Sequence, residues 1–226
     1  MKYKGIVFDF DGTLADSEGL QKKKWDIVLA PFDIQISEEE YINNYCGRSS
    51  SDEIPMLLKK KYPLITYSVG ELARAVNDVL EELFANEKIE LRPGVLEVIK
   101  FFNDKGVKMT VCSGKDVEEL VLKLKAAGLE QYFDKEKLSS QKEAGGMGKP
   151  DPAMYLYACQ QLDLKPEECL SFEDMAVGAR SAKGAGLYVV GLPSRYSQKE
   201  ELEKTVDLFL EGGFPEFLKK AEEILK

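Results

Sequence analysis

An α/β fold, a parallel sheet with helices on both faces plus an inserted helical unit, is predicted for this chain by three observations. Short apolar segments alternate with helix-patterned ones along most of its length. Each apolar segment is rich in β-branched or aromatic residues and is followed by turn residues. The alternation is suspended once, over residues 16–91, where helical signals occur without a convincing strand. Strands that alternate with helices pair in parallel and are covered on both faces, so a Rossmann-like core is expected over 1–15 and 92–226, and 16–91 is read as an α-helical cap domain.

The first strand is read in KGIVFDF, residues 4–10. The cap helices are expected near 18–29, 37–45, 50–61 and 68–85, with Ser37 and Glu40 forming a capping box and Asp33 and Pro63 at the breaks. A helix over 94–104 then leads to a strand in GVKMTVCSG (106–114), and a helix over 117–127 follows it. Helices over 153–162 and 176–185 flank the strand CLSFED (169–174), and GLYVVGL (186–192) supplies another strand. Weaker strand patterns lie at 132–138 and 206–210, and residues 214–225 read as a closing amphipathic helix.

The 226 residues are 44% hydrophobic and 31% charged, and no apolar stretch approaches the roughly 20 residues of a membrane helix. The start, MKYKGIVFDF, has too short an apolar segment for a secretory leader, so a cytoplasmic location is expected. A net charge of −9 disfavours nucleic acid and anionic lipid and leaves a small anionic molecule as the expected partner. The chain has no histidine, which removes Ser–His and Cys–His schemes and zinc sites that need one. Cys46, Cys112, Cys159 and Cys169 are widely spaced and are read as reduced structural thiols. Carboxylates, lysine, tyrosine or a hard metal are left to move protons and charge.

Two carboxylates, Asp9 and Asp11, close the first strand. Strand alternation would point both the same way with Phe10 turned into the packing, and two like charges so close ask for a cation or a shared proton. Gly12 and Thr13 begin a turn whose main-chain N–H groups offer a seat for an anion. Ligands of open parallel sheets bind beyond the carboxyl ends of the strands. Ser113 and Gly114 end the second strong strand, Glu173 and Asp174 end the third, and Lys149 stands between them in GKPDP. This oxygen-rich set suits octahedral Mg²⁺ better than zinc. Simpler roles compete: a turn for Asp11–Gly12, a helix cap for Ser113, a solvated loop for Lys149, and an orienting role for Glu173. Lys22–Lys24 and Lys59–Lys61 are read as solvated helix faces.

Taken in order, DFDGTLADS, VCSG, GKPDP and FEDMAVG resemble the four motifs of the haloacid dehalogenase superfamily of phosphohydrolases. The resemblance covers essentially the whole chain and is similar to the β-phosphoglucomutase-like and phosphoglycolate-phosphatase-like branch. It implies that Asp9 is the nucleophile, becoming an aspartyl phosphate, and that Asp11 is the general acid and base. It implies Mg²⁺ held by Asp9, Asp174 and the main-chain carbonyl of Asp11, with Glu173 binding directly or through water. Ser113, the Gly114 N–H and Lys149 would take phosphoryl oxygens. Ser17 would lie at the cap hinge, and Arg48 with Ser49–Ser51 would read the substrate beyond its phosphate, a solvent-facing arginine being the alternative.

A dehalogenase lacks an acid two residues after its nucleophile, whereas this chain has Asp11. The cap lysine of a phosphonate hydrolase is absent from residues 41–58, and the cap histidine of a mutase is missing from the stretch Asp16–Gln21. A phosphatase of sugar phosphates or small phosphorylated acids is therefore expected. A β-phosphoglucomutase-like phosphotransferase and a non-catalytic phosphate-binding regulatory protein are the alternatives.

Overall fold

The computed structural model describes residues 2–46, 50 and 52–226. Among them, six strands form one parallel sheet: β1 (Gly5–Phe8), β2 (Lys108–Ser113), β3 (Ser139–Ser140), β4 (Cys169–Glu173), β5 (Tyr188–Gly191) and β6 (Leu208–Phe209). Their order is β3-β2-β1-β4-β5-β6, so the chain reverses direction across the sheet between β1 and β4. That reversal leaves a crevice at the carboxyl ends of β1 and β4. The predicted Rossmann-like α/β class is the one adopted.

All four residues of β1 are buried, as a central parallel strand requires. Gly5 faces Lys108 and Cys169, and Phe8 faces Val111 and Phe172. Phe8 stacks on Phe172 with centroids 5.3 Å apart, and Phe172 meets Phe217 edge-on at 4.9 Å. Such ring pairs contribute about 0.5–1.5 kcal/mol each beyond their buried area, and these brace the two strand ends that carry Asp9 and Glu173. On the opposite face Val7, Cys112, Cys169 and Val189 pack with Met154, Tyr155 and Ala179.

Helices α1 (Glu18–Leu29), α2 (Glu38–Asn44), α3 (Glu53–Lys61) and α4 (Val69–Asn86) lie in one compact unit, Ser17–Lys88. The other unit, Met1–Asp16 with Ile89–Lys226, holds the sheet and α5 (Val95–Asp104), α6 (Val117–Ala126), α7 (Ala153–Gln161), α8 (Ala176–Ala185), α9 (Lys199–Thr205) and α10 (Gly213–Ile224). Trp25, Leu29, Leu58, Leu72 and Val76 form the core of the helical unit.

Two helices of the helical unit start on serine caps, which differ in one respect. Ser68 and Glu71 make a complete capping box on α4. Ser37 accepts from the Glu40 N–H at 3.1 Å, but the Glu40 carboxylate takes Tyr45, Tyr62 and Lys61 at 3.0, 2.9 and 2.7 Å instead of returning to the cap. An ammonium and two phenols outcompete one main-chain N–H.

Two strand readings and two surface readings change. Residues 132–138 contribute to 3₁₀ turns at Glu130–Tyr132 and Lys135–Lys137, because the Asp134 side chain accepts from the Glu136 N–H at 3.1 Å and starts a turn. The edge strand β3 begins only after Leu138. The strand read over 206–210 is two residues long. Lys24 is buried rather than solvated, donating to Gln21 and to Ser50 at 3.0 Å. Lys59 donates to the main-chain carbonyls of Ile65 and Tyr67, closing the loop after α3.

Candidate active site

Asp9 leaves the end of β1 with its N–H donating to Phe172 across the β1–β4 crevice at 3.0 Å. Glu173 ends β4 and Asp174 follows it, and all three acids are buried. Each offers one carboxylate oxygen, and the three lie within 4.8 Å of one another. Lys149 reaches into this cluster from the loop before α7 and donates to Asp9 at 2.6 Å and to Glu173 at 2.7 Å. One ammonium therefore bridges two of the three clustered carboxylates.

The electrostatics show that imbalance. Burial pushes the Asp9 carboxyl up to about 7 although Lys149 pulls it down, and Glu173 adds to the rise. Burial, then Asp9 and Glu173, push Asp174 well above the usual carboxylate range. Burial alone would lower Lys149, but Asp9 and Glu173 hold its ammonium well above the ordinary lysine value. Crowded, dehydrated carboxylate oxygens fit a hard divalent cation, which would relieve their repulsion.

Other elements aim these groups. Ser194, in the loop after β5, donates to Asp174 Oδ2 at 2.7 Å, and Ser197 donates to the Asp174 main-chain carbonyl at 2.5 Å. Tyr155 of α7 donates its phenol to Glu173. Arg92 donates to the carbonyls of Gly12, Leu192 and Pro193 at 2.7–2.8 Å, tying the turn after β1 to the loop after β5. Gly12 has a φ of +80°, and a β-carbon there would run into the Asp174 carboxylate.

Asp11 sits differently from the expectation. The strand ends at Phe8 and the chain turns, so pleat alternation does not carry to Asp11. Its carboxylate is held by Lys123 of α6, with both oxygens 2.8 Å from the ammonium. The anion seat expected on the Gly12 and Thr13 N–H groups is also corrected: these donate within the turn, to Ala15 at 2.8 Å and Phe10 at 3.3 Å. The Thr13 hydroxyl instead makes a long contact of 3.4 Å to Asp174. Ser113 is buried at the end of β2 and accepts from the Lys115 N–H at 3.3 Å, while the space beside Gly114 is open. Ser17 is the buried residue preceding α1 in the helical unit. Arg48, with Ser49 and Ser51, lies outside the described residues.

Lys123, Tyr155, Arg92, Ser194 and Ser197 escaped the sequence reading. Ser194 and Ser197 follow a strand end, a position that the strand-end rule itself points to. Lys123 lies on the same helical stripe as buried Leu120 and Leu124, which is a signal of a buried charge.

A parallel sheet with buried acids and an ammonium at its topological switch point defines an α/β enzyme suited to a hard cation and an anionic substrate. A family profile described as haloacid dehalogenase-like hydrolase matches residues 3–186. The chain is 28% identical to the phosphorylated carbohydrates phosphatase of Thermotoga maritima, over 81% of this chain and 82% of that one. The Rhodobacter sphaeroides CbbY structure in complex with phosphate has a TM-score of 0.84 and 27% identity, covering 95% of this chain and 96% of that one. CbbY has also been solved, as a mutant, with xylulose-(1,5)bisphosphate. A Thermotoga maritima structure of the β-phosphoglucomutase type has a TM-score of 0.77 and 25% identity, covering 98% of this chain and 100% of that one. The chain belongs to the haloacid dehalogenase-like hydrolases, in their β-phosphoglucomutase-like branch, and is an enzyme of the phosphatase class.

Proposed function

We propose that this chain is a Mg²⁺-dependent phosphatase of small phosphorylated metabolites, sugar phosphates or phosphorylated acids, working through an aspartyl phosphate on Asp9. The buried set of Asp9, Glu173, Asp174 and Lys149 at the β1–β4 crevice carries the proposal. The substrate class is supported by relatives, one named for phosphorylated carbohydrates and one solved with a sugar bisphosphate.

Asp9, Asp174 and the Asp11 carbonyl would hold Mg²⁺, with Glu173 directly or through water. When bound, Mg²⁺ offsets carboxylate repulsion and neutralises charge on the phosphoryl oxygens. An Asp9 carboxylate oxygen attacks phosphorus, the bond to the ester oxygen breaks, and the leaving oxygen takes a proton from Asp11. Water then attacks phosphorus and gives a proton to Asp11, the Asp9–phosphorus bond breaks, and free phosphate leaves. Lys149, Ser113 and the Gly114 N–H hold the remaining phosphoryl oxygens in both halves.

In this reading Ser17–Lys88 is the cap, Ser17 marks its hinge, and Arg48 reads the substrate beyond its phosphate. Cys112, Cys159 and Cys169 are buried thiols, which supports a cytoplasmic setting. The test is turnover of p-nitrophenyl phosphate and of a sugar-phosphate panel. Asp9→Asn should abolish turnover while the melting temperature holds, and EDTA should abolish it until Mg²⁺ is returned. Full activity in either case would overturn the proposal.

A further inference from the structure

Lys123 is a lysine in the wrong place for an ordinary surface charge. It occupies the inward stripe of α6 beside Leu120 and Leu124, and its side chain is 0% exposed. A buried ammonium is kept only where several oxygens replace its water. Here both oxygens of Asp11 lie 2.8 Å away, Glu119 lies one helical turn back at 3.1 Å, and the Phe10 ring lies beneath it at 5.8 Å. A two-oxygen grip fixes the plane and direction of a carboxylate, whereas the loop after β1 fixes only where its main chain runs. The Asp11 carboxylate is thus gripped by both oxygens from α6, by a residue 112 positions away in sequence.

We propose that Lys123 is a positioning residue for Asp11, aiming the carboxylate that moves protons to and from the ester oxygen and water, with Glu119 anchoring Lys123 in turn. The assignment rests on the reading of Asp11 as general acid and base. A role confined to tying α6 to the loop would cost stability without regard to the ester. Positioning of the proton donor has a different signature, because an ester with a poor leaving group depends on that proton and an activated one depends on it far less.

The experiment measures kcat/KM with Mg²⁺ across phenyl phosphates, from 4-nitrophenyl to unsubstituted phenyl, since kcat/KM reports the step in which the ester bond breaks. The proteins are wild type, D11N, K123M, K123R, E119Q and the double variant K123M with D11N, each with its thermal melt. D11N should lose much more activity on phenyl than on 4-nitrophenyl phosphate. K123M should steepen the series in the same direction, by about tenfold between its ends, K123R should recover part of the loss, and the double variant should match D11N. Equal loss on every ester, or losses that multiply in the double variant, would overturn the proposal. A flat D11N series would remove the acid–base reading and this proposal with it, whereas a steep D11N series beside a flat K123M series removes this proposal alone. Should K123M fail to fold, E119Q decides: a smaller steepening supports positioning and a flat series refutes it.

Discussion

Gly178 gives direct access to the geometry of the acidic cluster. It lies in the first turn of α8, and a β-carbon placed there comes well inside 3.0 Å of both carboxylate oxygens of Glu173. Glu173 cannot swing freely, because it is buried and holds Lys149 at 2.7 Å and the Tyr155 phenol. Helix propensity alone favours Gly178→Ala by about 1 kcal/mol. Against that, forcing a methyl group into a filled site costs about 1–3 kcal/mol. Losing a charge-assisted hydrogen bond costs about 1.5–3 kcal/mol more. The net expectation is destabilisation by about 1.5–5 kcal/mol, and at about 2–4 °C per kcal/mol for a chain of this size the midpoint falls by at least about 3 °C. Activity should fall with it, because Lys149 would lose one of the two oxygens that aim it. Melts followed by circular dichroism and p-nitrophenyl phosphate turnover on the same preparation measure both. An unchanged or higher midpoint with full activity would refute the claim that α8 holds Glu173 in place.

Ser194→Ala removes the 2.7 Å donor to Asp174 Oδ2, and the Mg²⁺ concentration for half-maximal activity is expected to rise about tenfold with the rate at saturating Mg²⁺ nearly kept. An unchanged Mg²⁺ titration would show that Ser194 does not orient Asp174. In the helical unit, burial would raise the Glu40 carboxyl, but Lys61, Tyr62 and Tyr45 together hold it below the ordinary value of 4.5. A depressed acid contributes stability above its unfolded value of 4.5, and that contribution is lost as pH falls through the lower folded value. Glu40→Gln should therefore lower the melting temperature at pH 7 and lose that difference as pH falls below 4.5 through the lower folded value, and a constant difference on acidification would contradict the assignment.

Much of the site was readable because a parallel sheet gathers distant segments at one edge. Asp9, Glu173 and Asp174 each follow an apolar strand, and the strand-end rule brings them together without any knowledge of pairing order. Lys149 could be placed only by its position between motifs, and its contacts with Asp9 and Glu173 depend on a loop path that local pattern does not encode. Lys123 was harder still, since α6 reads as a helix carrying both acidic and basic residues and nothing in its spacing points back to Asp11. Its inward position between Leu120 and Leu124 was visible, but a helical stripe does not name the partner that justifies a charge. The misread strand at 132–138 failed for a local reason: Asp134 starts a turn with its own side chain before any strand can form.

The two acids that open the site have one residue between them in sequence, yet they meet different lysines. With β1 ending at Phe8 and Gly12 at a positive φ, Asp9 faces Glu173, Asp174 and Lys149 while Asp11 faces Lys123. In the proposed mechanism, separate lysines from separate segments would let Asp9 serve phosphorus and Asp11 serve protons. The same separation predicts separable failures: Asp9→Asn should stop turnover of every ester, while loss of the Lys123 charge should be felt mainly where the departing oxygen needs a proton.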